Sequence, residues 1–298
     1  MRKLIIALVL LAGLLAVSLI AAYVITKQDS VGFGDKVAVI PLHSTILLSE
    51  STGMLAEQST TPQTFKDMLK RAEGDSSIKA VVVDINSPGG SVVASDEIAR
   101  AIEEFEKPTV AWVGEMGASG AYYVASSCDY IVADRASIVG SIGVISIFPE
   151  YSRLMEKIGV NVTVVKGGEF KDFSTGFRPL TDEEKAMMED IVGDIYDQFL
   201  TIVADNRNLS KSYVESVADG KVYTGKKAKE LGLVDEVGGR EKAIDIAAHM
   251  GGIEGEPKVV EYKKTGFFGE FVGTAFANFG YGFAKGLIEM GATMGYPY

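Results

Sequence analysis

Hydrophobic and polar positions along the chain follow two alternating patterns. Continuous apolar runs over residues 37–42 and 79–85 indicate strands that are buried on both faces. Apolar residues at helical spacing over 92–105 indicate an amphipathic helix that ends before Pro108. Further strands are predicted over 109–113, 130–133 and 161–165. Alternation of this kind predicts an α/β domain of parallel strands joined by helical crossovers.

The first 25 residues carry a different pattern. Arg2 and Lys3 precede an apolar stretch over 4–25, which is long enough to cross a bilayer as one helix. A cleaved secretory signal has a shorter apolar region, although Ala21 and Ala22 keep cleavage possible. We expect an uncleaved single-pass anchor in the cell membrane, with a cytoplasmic N-terminus and an extracytoplasmic domain, because the cations precede the span.

Three segments follow from these patterns. Residues 1–30 form the predicted transmembrane anchor and linker, and residues 31–262 the predicted folded domain. A capping box over 181–184 opens a long helix within that domain. Residues 263–298 are an apolar tail rich in Gly, Phe and Met. Four structural interpretations of this tail stay open: a closely packed helix, a segment on the membrane surface, a contact with a neighbouring subunit, or a poorly ordered segment.

Charge and cysteine content exclude some classes of binding partner and of structural bond. The net charge of −11 and the isoelectric point near 4.8 argue against nucleic-acid binding, because the sequence offers no basic block to neutralise phosphates. The single cysteine, Cys128, excludes an intrachain disulfide and a CxxC-type metal site. Its apolar surroundings predict a buried structural thiol.

Two glycine-rich motifs follow predicted strands. Residues 86–91, NSPGGS, lie where a buried strand meets a helix, which is where open α/β sheets bind ligands. Their backbone N–H groups could form an oxyanion hole, or the segment could be a plain turn. Ser119, between Ala118 and Gly120, stands at the start of another helix. It suits either a helix cap or a nucleophile with the adjacent Gly120 N–H as a donor.

A nucleophilic serine needs a base. The chain has two histidines, His43 and His249, and no acidic partner stands out for either, so a Ser-His-Asp triad is disfavoured. A lysine base is the alternative. Lys171 follows a predicted strand and lies between Phe170 and Phe173, which could desolvate it. An exposed loop lysine is the competing interpretation.

Five motifs together resemble signal peptide peptidase A of the short, single-repeat type, over roughly residues 37–248. They are NSPGG (86–90), GASGAYY (117–123), GSIGV (140–144), GEFKDF (168–173) and GKVYTGKKAKELGLVDEVGG (220–239). The resemblance implies a Clp-protease and crotonase-like α/β fold of repeated ββα units.

The resemblance also implies a Ser-Lys peptidase that needs no metal or organic cofactor. It assigns Ser119 as nucleophile, Lys171 as general base and Ser141 as the hydroxyl that orients the lysine. The oxyanion donors that it implies are the backbone N–H groups of Gly89, Gly90 and Gly120.

The substrates implied by the resemblance are remnant signal peptides and similar apolar peptides at the membrane, cleaved by a homo-oligomer. Three alternatives stay open. One is acyl-CoA chemistry on the crotonase fold, another is a non-enzymatic membrane scaffold, and the third is a membrane peptidase that cleaves stomatin-like proteins with the same dyad. The segment over 222–239 favours peptidase A over the stomatin-cleaving type.

Overall fold

The computed structural model describes residues 34–49 and 59–263 of the 298-residue chain. Strands and helices alternate along these residues. The strands are β1 (Lys36–His43), β2 (Ile78–Ser87), β3 (Thr109–Ala118), β4 (Tyr130–Ala133), β5 (Ile138–Gly140), β6 (Val222–Thr224), β7 (Glu236–Val237) and β8 (Lys258–Glu261). The helices are α1 (Pro62–Gly74), α2 (Val92–Glu103), α3 (Gly120–Ser126), α4 (Ser152–Lys157), α5 (Asp182–Asn206), α6 (Lys211–Val217), α7 (Gly225–Glu230) and α8 (Arg240–Met250).

The eight strands form one sheet with the order β6-β5-β3-β2-β1-β8. The first half of β3 pairs with β4, which pairs in turn with β7, and the second half of β3 pairs with β5. Only the β5–β6 pair is antiparallel among these described strands. The mixed α/β sheet with helical crossovers therefore confirms the predicted class, and the carboxyl ends of β2, β3 and β5 meet at one edge.

The apolar runs form central strands because both faces of the sheet are covered. Val81, Val83 and Ile85 of β2 are fully or almost fully buried in a core that includes residues of α1, α2, α3 and the end of α5. The alternate residues Ala80 and Val82 pack on the other face against α8. A strand that is buried on both sides needs apolar side chains at successive positions, which is what its sequence shows.

Side-chain caps start the helices where the sequence predicts them. Thr61 accepts the Thr64 N–H and precedes Pro62, the first residue of α1. The capping box of Thr181 and Glu184 opens α5, so this prediction is confirmed. The first half of α5 is mostly exposed, whereas its second half enters the core.

One predicted strand is wrong. Residues 161–165 are exposed and belong to no strand. They lie in a segment that we call the arm, residues 143–180, which contains α4 and buries none of that helix's residues. The Tyr151 N–H donates to Gly176 O at 2.8 Å and closes the arm on itself. The valine-rich segment 161–165 fits the strand pattern, but none of the described strands pairs with it.

The predicted anchor over 1–30 and nearly all of the tail lie outside the described residues. Within the described part of the chain, no helix has the length and apolar character needed to cross a membrane. Cys128 is buried, as its surroundings predict, and burial raises the pKa of its thiol.

Candidate active site

Three loops meet at the carboxyl edge of the sheet. Residues 86–91 leave β2, Ser119 follows β3, and Ser141 follows β5. Ala118 and Gly140 are partners in the parallel β3–β5 register, and the Ser119 N–H donates to Gly140 O at 2.8 Å. The fold therefore brings Ser119 and Ser141 onto neighbouring strand ends.

Ser119 has an unusual backbone conformation. Its φ is +53° and its ψ is −127°, a region that L-residues rarely occupy. Its side chain makes no cap hydrogen bond, which removes the interpretation of this serine as an ordinary N-cap. Its carbonyl accepts the N–H groups of Tyr122 and Tyr123 at 2.9 and 3.0 Å. A sharp strand-to-helix turn of this kind presents a serine hydroxyl above the sheet, as nucleophile elbows do.

The glycines of residues 86–91 pack directly on this turn. A Cβ on Gly89 would lie 2.6 Å from Gly120 N and 3.0 Å from Ser119 Cβ. A Cβ on Gly90 would overlap the carbonyl oxygen of Ile46. Larger residues cannot occupy these positions without moving backbone, so the close approach requires glycine here.

Two of the three predicted oxyanion donors, the N–H groups of Gly90 and Gly120, have no hydrogen-bond acceptor among the described residues. The Gly89 N–H donates to Ser87 Oγ at 3.1 Å. The Gly90 N–H has no acceptor among the described residues, and Gly90 N would lie 3.3 Å from a Cβ on Gly120. Gly120 is the first residue of α3, where helical N–H groups have no intrahelical acceptor.

Sequence reasoning missed Ser87. This side chain is fully buried, and its hydroxyl holds the turn that precedes Gly90. The signal was available in the motif, since a small hydroxyl two residues before a glycine is typical of a local turn hydrogen bond.

The two tyrosines after the serine anchor α3. The Tyr122 O–H donates to Leu233 O at 2.8 Å, and the Tyr123 O–H donates to Asp96 Oδ1 at 3.0 Å. Burial raises the pKa of both tyrosines, so both stay neutral. They stabilise the helix whose N-terminus points at the site.

Ser141, like Ser119, is a non-glycine residue with a positive φ, +51°. Its N–H donates to Lys221 O at 2.7 Å, which ties the turn to the chain before β6. The side chain is partly exposed and makes no hydrogen bond with Lys171. Ser141 therefore follows the strand next to that of Ser119.

Lys171 lies in the arm, outside the three loops that follow β2, β3 and β5. Its side chain is exposed, and its ammonium has no hydrogen-bond or ion-pair partner among the described residues. Phe170 is 42% exposed, and Phe173 packs on Phe148 with ring centroids 5.7 Å apart. The two aromatic neighbours thus do not bury the lysine in the single chain, and the Ser119–Lys171 hydrogen bond is not formed in it.

His43 has an acidic partner, which corrects the sequence interpretation. Its Nε2 lies 3.1 Å from Asp84 Oδ1, and Asp84 Oδ2 lies 3.7 Å from Arg240 Nε of α8. Asp84 follows the buried Val82 by two residues and so faces the side of the sheet that carries α8. The α3 helix packs on the opposite side, and no hydrogen bond joins this pair to Ser119.

Comparisons with known proteins place the chain among peptidases. A family model described as peptidase family S49 matches residues 101–254, a span that contains Ser119, Ser141 and Lys171. A protein of Methanocaldococcus jannaschii, named provisionally as a protease, is 39% identical over 97% of this chain and 95% of its own length.

Two further relatives have peptidase names. A protein of Enterococcus faecium, named provisionally as signal peptide peptidase SppA, is 32% identical over 81% of this chain and 72% of its own length. Protease 4 of Haemophilus influenzae is 37% identical over 72% of this chain, and the match spans 35% of that longer protein.

Proposed function

The chain belongs to peptidase family S49 and is of the SppA type, and on that premise we propose that it is a serine endopeptidase with Ser119 as nucleophile and Lys171 as general base. The observation that carries the proposal is the conformation of Ser119. A strained turn, an unused hydroxyl and two adjacent backbone N–H groups are what acyl transfer to a serine requires.

The proposed reaction is acyl transfer in two steps. Uncharged Lys171 accepts the Ser119 Oγ proton as the oxygen attacks the peptide carbonyl, and the N–H groups of Gly90 and Gly120 donate to the oxyanion. The protonated lysine gives its proton to the leaving amine as the C–N bond breaks. Water then attacks the acyl-serine and loses a proton to Lys171. As the bond between Ser119 Oγ and the acyl carbon breaks, Lys171 returns that proton to Oγ and the acid is released. Ser141 orients the lysine in this proposal.

The dyad has to be completed by a movement or by a second copy, and the exposed surface of the arm favours a second copy. Ile145, Ile147 and Val165 are 82%, 74% and 94% exposed. Soluble surfaces rarely leave apolar residues so exposed in one stretch. We therefore propose a homo-oligomer in which a neighbouring chain covers the arm and the arm delivers its Lys171 to the neighbour's serine.

The substrate and the location belong to the same proposal. Apolar peptides such as signal-peptide remnants fit the name of the Enterococcus faecium relative and the apolar stretch over 4–25 of this chain. With Arg2 and Lys3 on the cytoplasmic side, the anchor holds the peptidase domain outside the cytoplasm, close to peptides that leave the bilayer.

Hydrolysis of a fluorogenic apolar peptide by the purified full-length protein tests the assignment. Ser119→Ala and Lys171→Ala are expected to abolish turnover, because each removes a group that moves in the reaction. Ser212→Ala and Lys226→Ala alter exposed residues away from the site and serve as matched controls that retain activity. Full activity in either of the first two variants would contradict the dyad.

Mixing the two inactive variants tests the second copy. If the dyad forms between chains, an equal mixture of Ser119→Ala and Lys171→Ala subunits recovers about a quarter of wild-type activity, since one interface in four joins an intact serine to an intact lysine. A dyad within one chain predicts no recovery after subunit exchange.

A further inference from the structure

A cluster of four charged side chains joins the otherwise exposed arm to the start of α5. Lys166 and Arg178 contribute the positive charges, and Asp172 and Glu184 contribute the negative ones. The two carboxylate residues are only 7% and 2% exposed. A buried carboxylate is stable only if hydrogen-bond donors or cations pair with it, and Lys166 and Arg178 provide these partners.

Arg178 is the centre of this cluster. Its Nε and Nη2 donate to the two oxygens of Asp172 at 3.1 and 2.7 Å, and its Nη1 and Nη2 donate to the two oxygens of Glu184 at 2.8 and 2.6 Å. Nη1 also donates to Pro179 O at 3.0 Å. All five N–H groups of the guanidinium are therefore used, in a planar arrangement that a lysine cannot reproduce.

The cluster connects the loop of Lys171 to a helix that is fixed in the core. Glu184 is the capping-box residue of α5, and the other end of α5 is buried at Phe199 and Val203. Asp172 directly follows Lys171, and its carbonyl accepts the Thr175 N–H at 3.2 Å. A continuous series of contacts thus runs from the core through Glu184, Arg178 and Asp172 to the backbone of Lys171.

The same contacts also keep the Asp172 carboxylate occupied. Hydrogen bonds from Arg178, and then from Lys166, hold the pKa of Asp172 well below its usual range. Lys166 Nζ lies 2.6 Å from Asp172 Oδ1. Without the guanidinium, Lys166 would still bind Asp172 Oδ1, but Oδ2 would lose its donor among the described residues and could pair with the ammonium of the adjacent Lys171.

We propose that Arg178 is a positioning residue for the peptidase reaction: it holds the loop of Lys171 in place and keeps the Asp172 carboxylate from pairing with the lysine. This inference rests on the proposed function of Lys171. The charged groups around the loop are Lys166, Glu169, Asp172 and Arg178 of the arm and Glu184 of α5.

The test compares Arg178→Ala and Arg178→Lys with wild type in the full-length protein, using the fluorogenic apolar peptide. We expect kcat to fall on the order of 100-fold in both variants, because a small displacement of a catalytic group has this effect. KM is expected to change by less than about threefold. The acidic limb of the pH profile should move to higher pH, since released Asp172 favours the ammonium form of the lysine.

Two controls separate positioning from general stability. Guanidinium ion, added below denaturing concentration, should restore part of the kcat of Arg178→Ala. Arg135→Ala removes the same charge from an exposed turn and should match wild type. If Arg178→Ala does not fold, Glu184→Gln replaces it, because glutamine keeps the capping box and removes one carboxylate of the cluster. We expect a smaller kcat loss there, at unchanged KM.

The inference is overturned if folded Arg178→Ala keeps the wild-type kcat and pH profile. It is also overturned if the loss of activity in Arg178→Ala is proportional to the loss of folded oligomer and guanidinium ion restores no activity. Where Glu184→Gln stands in, wild-type kinetics overturn it. If Ser119→Ala and Lys171→Ala are inactive while Arg178→Ala has wild-type kinetics, only the positioning role of Arg178 is rejected. If Ser119→Ala is fully active, the proposed function itself is rejected.

Discussion

The strained backbone of Ser119 predicts that replacing this residue by glycine makes the protein more stable while abolishing catalysis. The φ of +53° and ψ of −127° force the Cβ of an L-residue against its own backbone. Glycine has no Cβ and adopts this conformation without strain. Alanine keeps the Cβ, so Ser119→Ala removes the hydroxyl and leaves the strain.

The magnitude follows from two opposing terms. A residue in such a sparsely populated region costs about 1–3 kcal/mol, which glycine recovers. Glycine also loses more conformational entropy on folding, roughly 0.5–1 kcal/mol. We therefore expect Ser119→Gly to exceed Ser119→Ala by about 1–2 kcal/mol in the free energy of unfolding. For a domain of this size, that corresponds to about 2–8 °C in Tm.

Denaturant unfolding and thermal melting of the two inactive variants measure this difference directly. Ser216 in α6 is the matched control, because it lies in an ordinary helix, where glycine is expected to be about 1 kcal/mol less stable than alanine. The two sites should thus show opposite signs. Equal stability of Ser119→Gly and Ser119→Ala, or a less stable glycine variant, would refute the idea that this turn stores strain.

Three further predictions concern the loops around the site. Ser87→Ala removes the acceptor that holds the glycine loop, so kcat should fall by on the order of 10- to 100-fold with little change in KM, as steady-state kinetics would reveal. Gly120→Ala places a methyl group against the Ser95 hydroxyl and should lower activity. In a kinetic comparison, the double variant Gly120→Ala with Ser95→Gly should regain part of that activity, and no gain would contradict this contact. The hydrogen bonds of Arg178 lower the pKa of Glu184 from 4.5 to about 2, so the associated stability is present above pH 4.5 and is lost as the pH falls towards 2. Melting curves of Glu184→Gln should depend less on pH across this interval, and an unchanged pH dependence would count against the assignment.

Local patterns predict much of the fold. The apolar run of 79–85 lies within β2, and the amphipathic pattern of 92–105 corresponds to α2, which ends two residues earlier at Glu103. The capping box of 181–184 also starts its helix as predicted. These features depend on residue spacing and on hydrogen bonds between residues close in the chain, so they can be recognised in a single sequence.

Two sequence interpretations needed contacts that the chain order does not reveal. The valine-rich segment 161–165 predicts a strand, but a strand forms only where a neighbour accepts its hydrogen bonds, and this segment has no such neighbour among residues 34–49 and 59–263. His43 and Asp84 pair across 41 residues because they lie on adjacent strands, β1 and β2. Spacing along the sequence does not reveal such a pair.

For the candidate site, the sequence by itself placed a serine and paired glycines at the ends of predicted strands, and left Ser119 open between a helix cap and a nucleophile until the motif resemblance assigned it a role. Tertiary structure decided that the Gly89 N–H is used by Ser87 while the Gly90 N–H is not. It also decided that Lys171 lies in an exposed arm, which Arg178 joins to the start of α5. The partners in these contacts are only two or six residues apart in the chain, but a hydrogen bond forms between them only where the folded backbone turns and brings both groups together, and residue spacing alone does not encode that geometry.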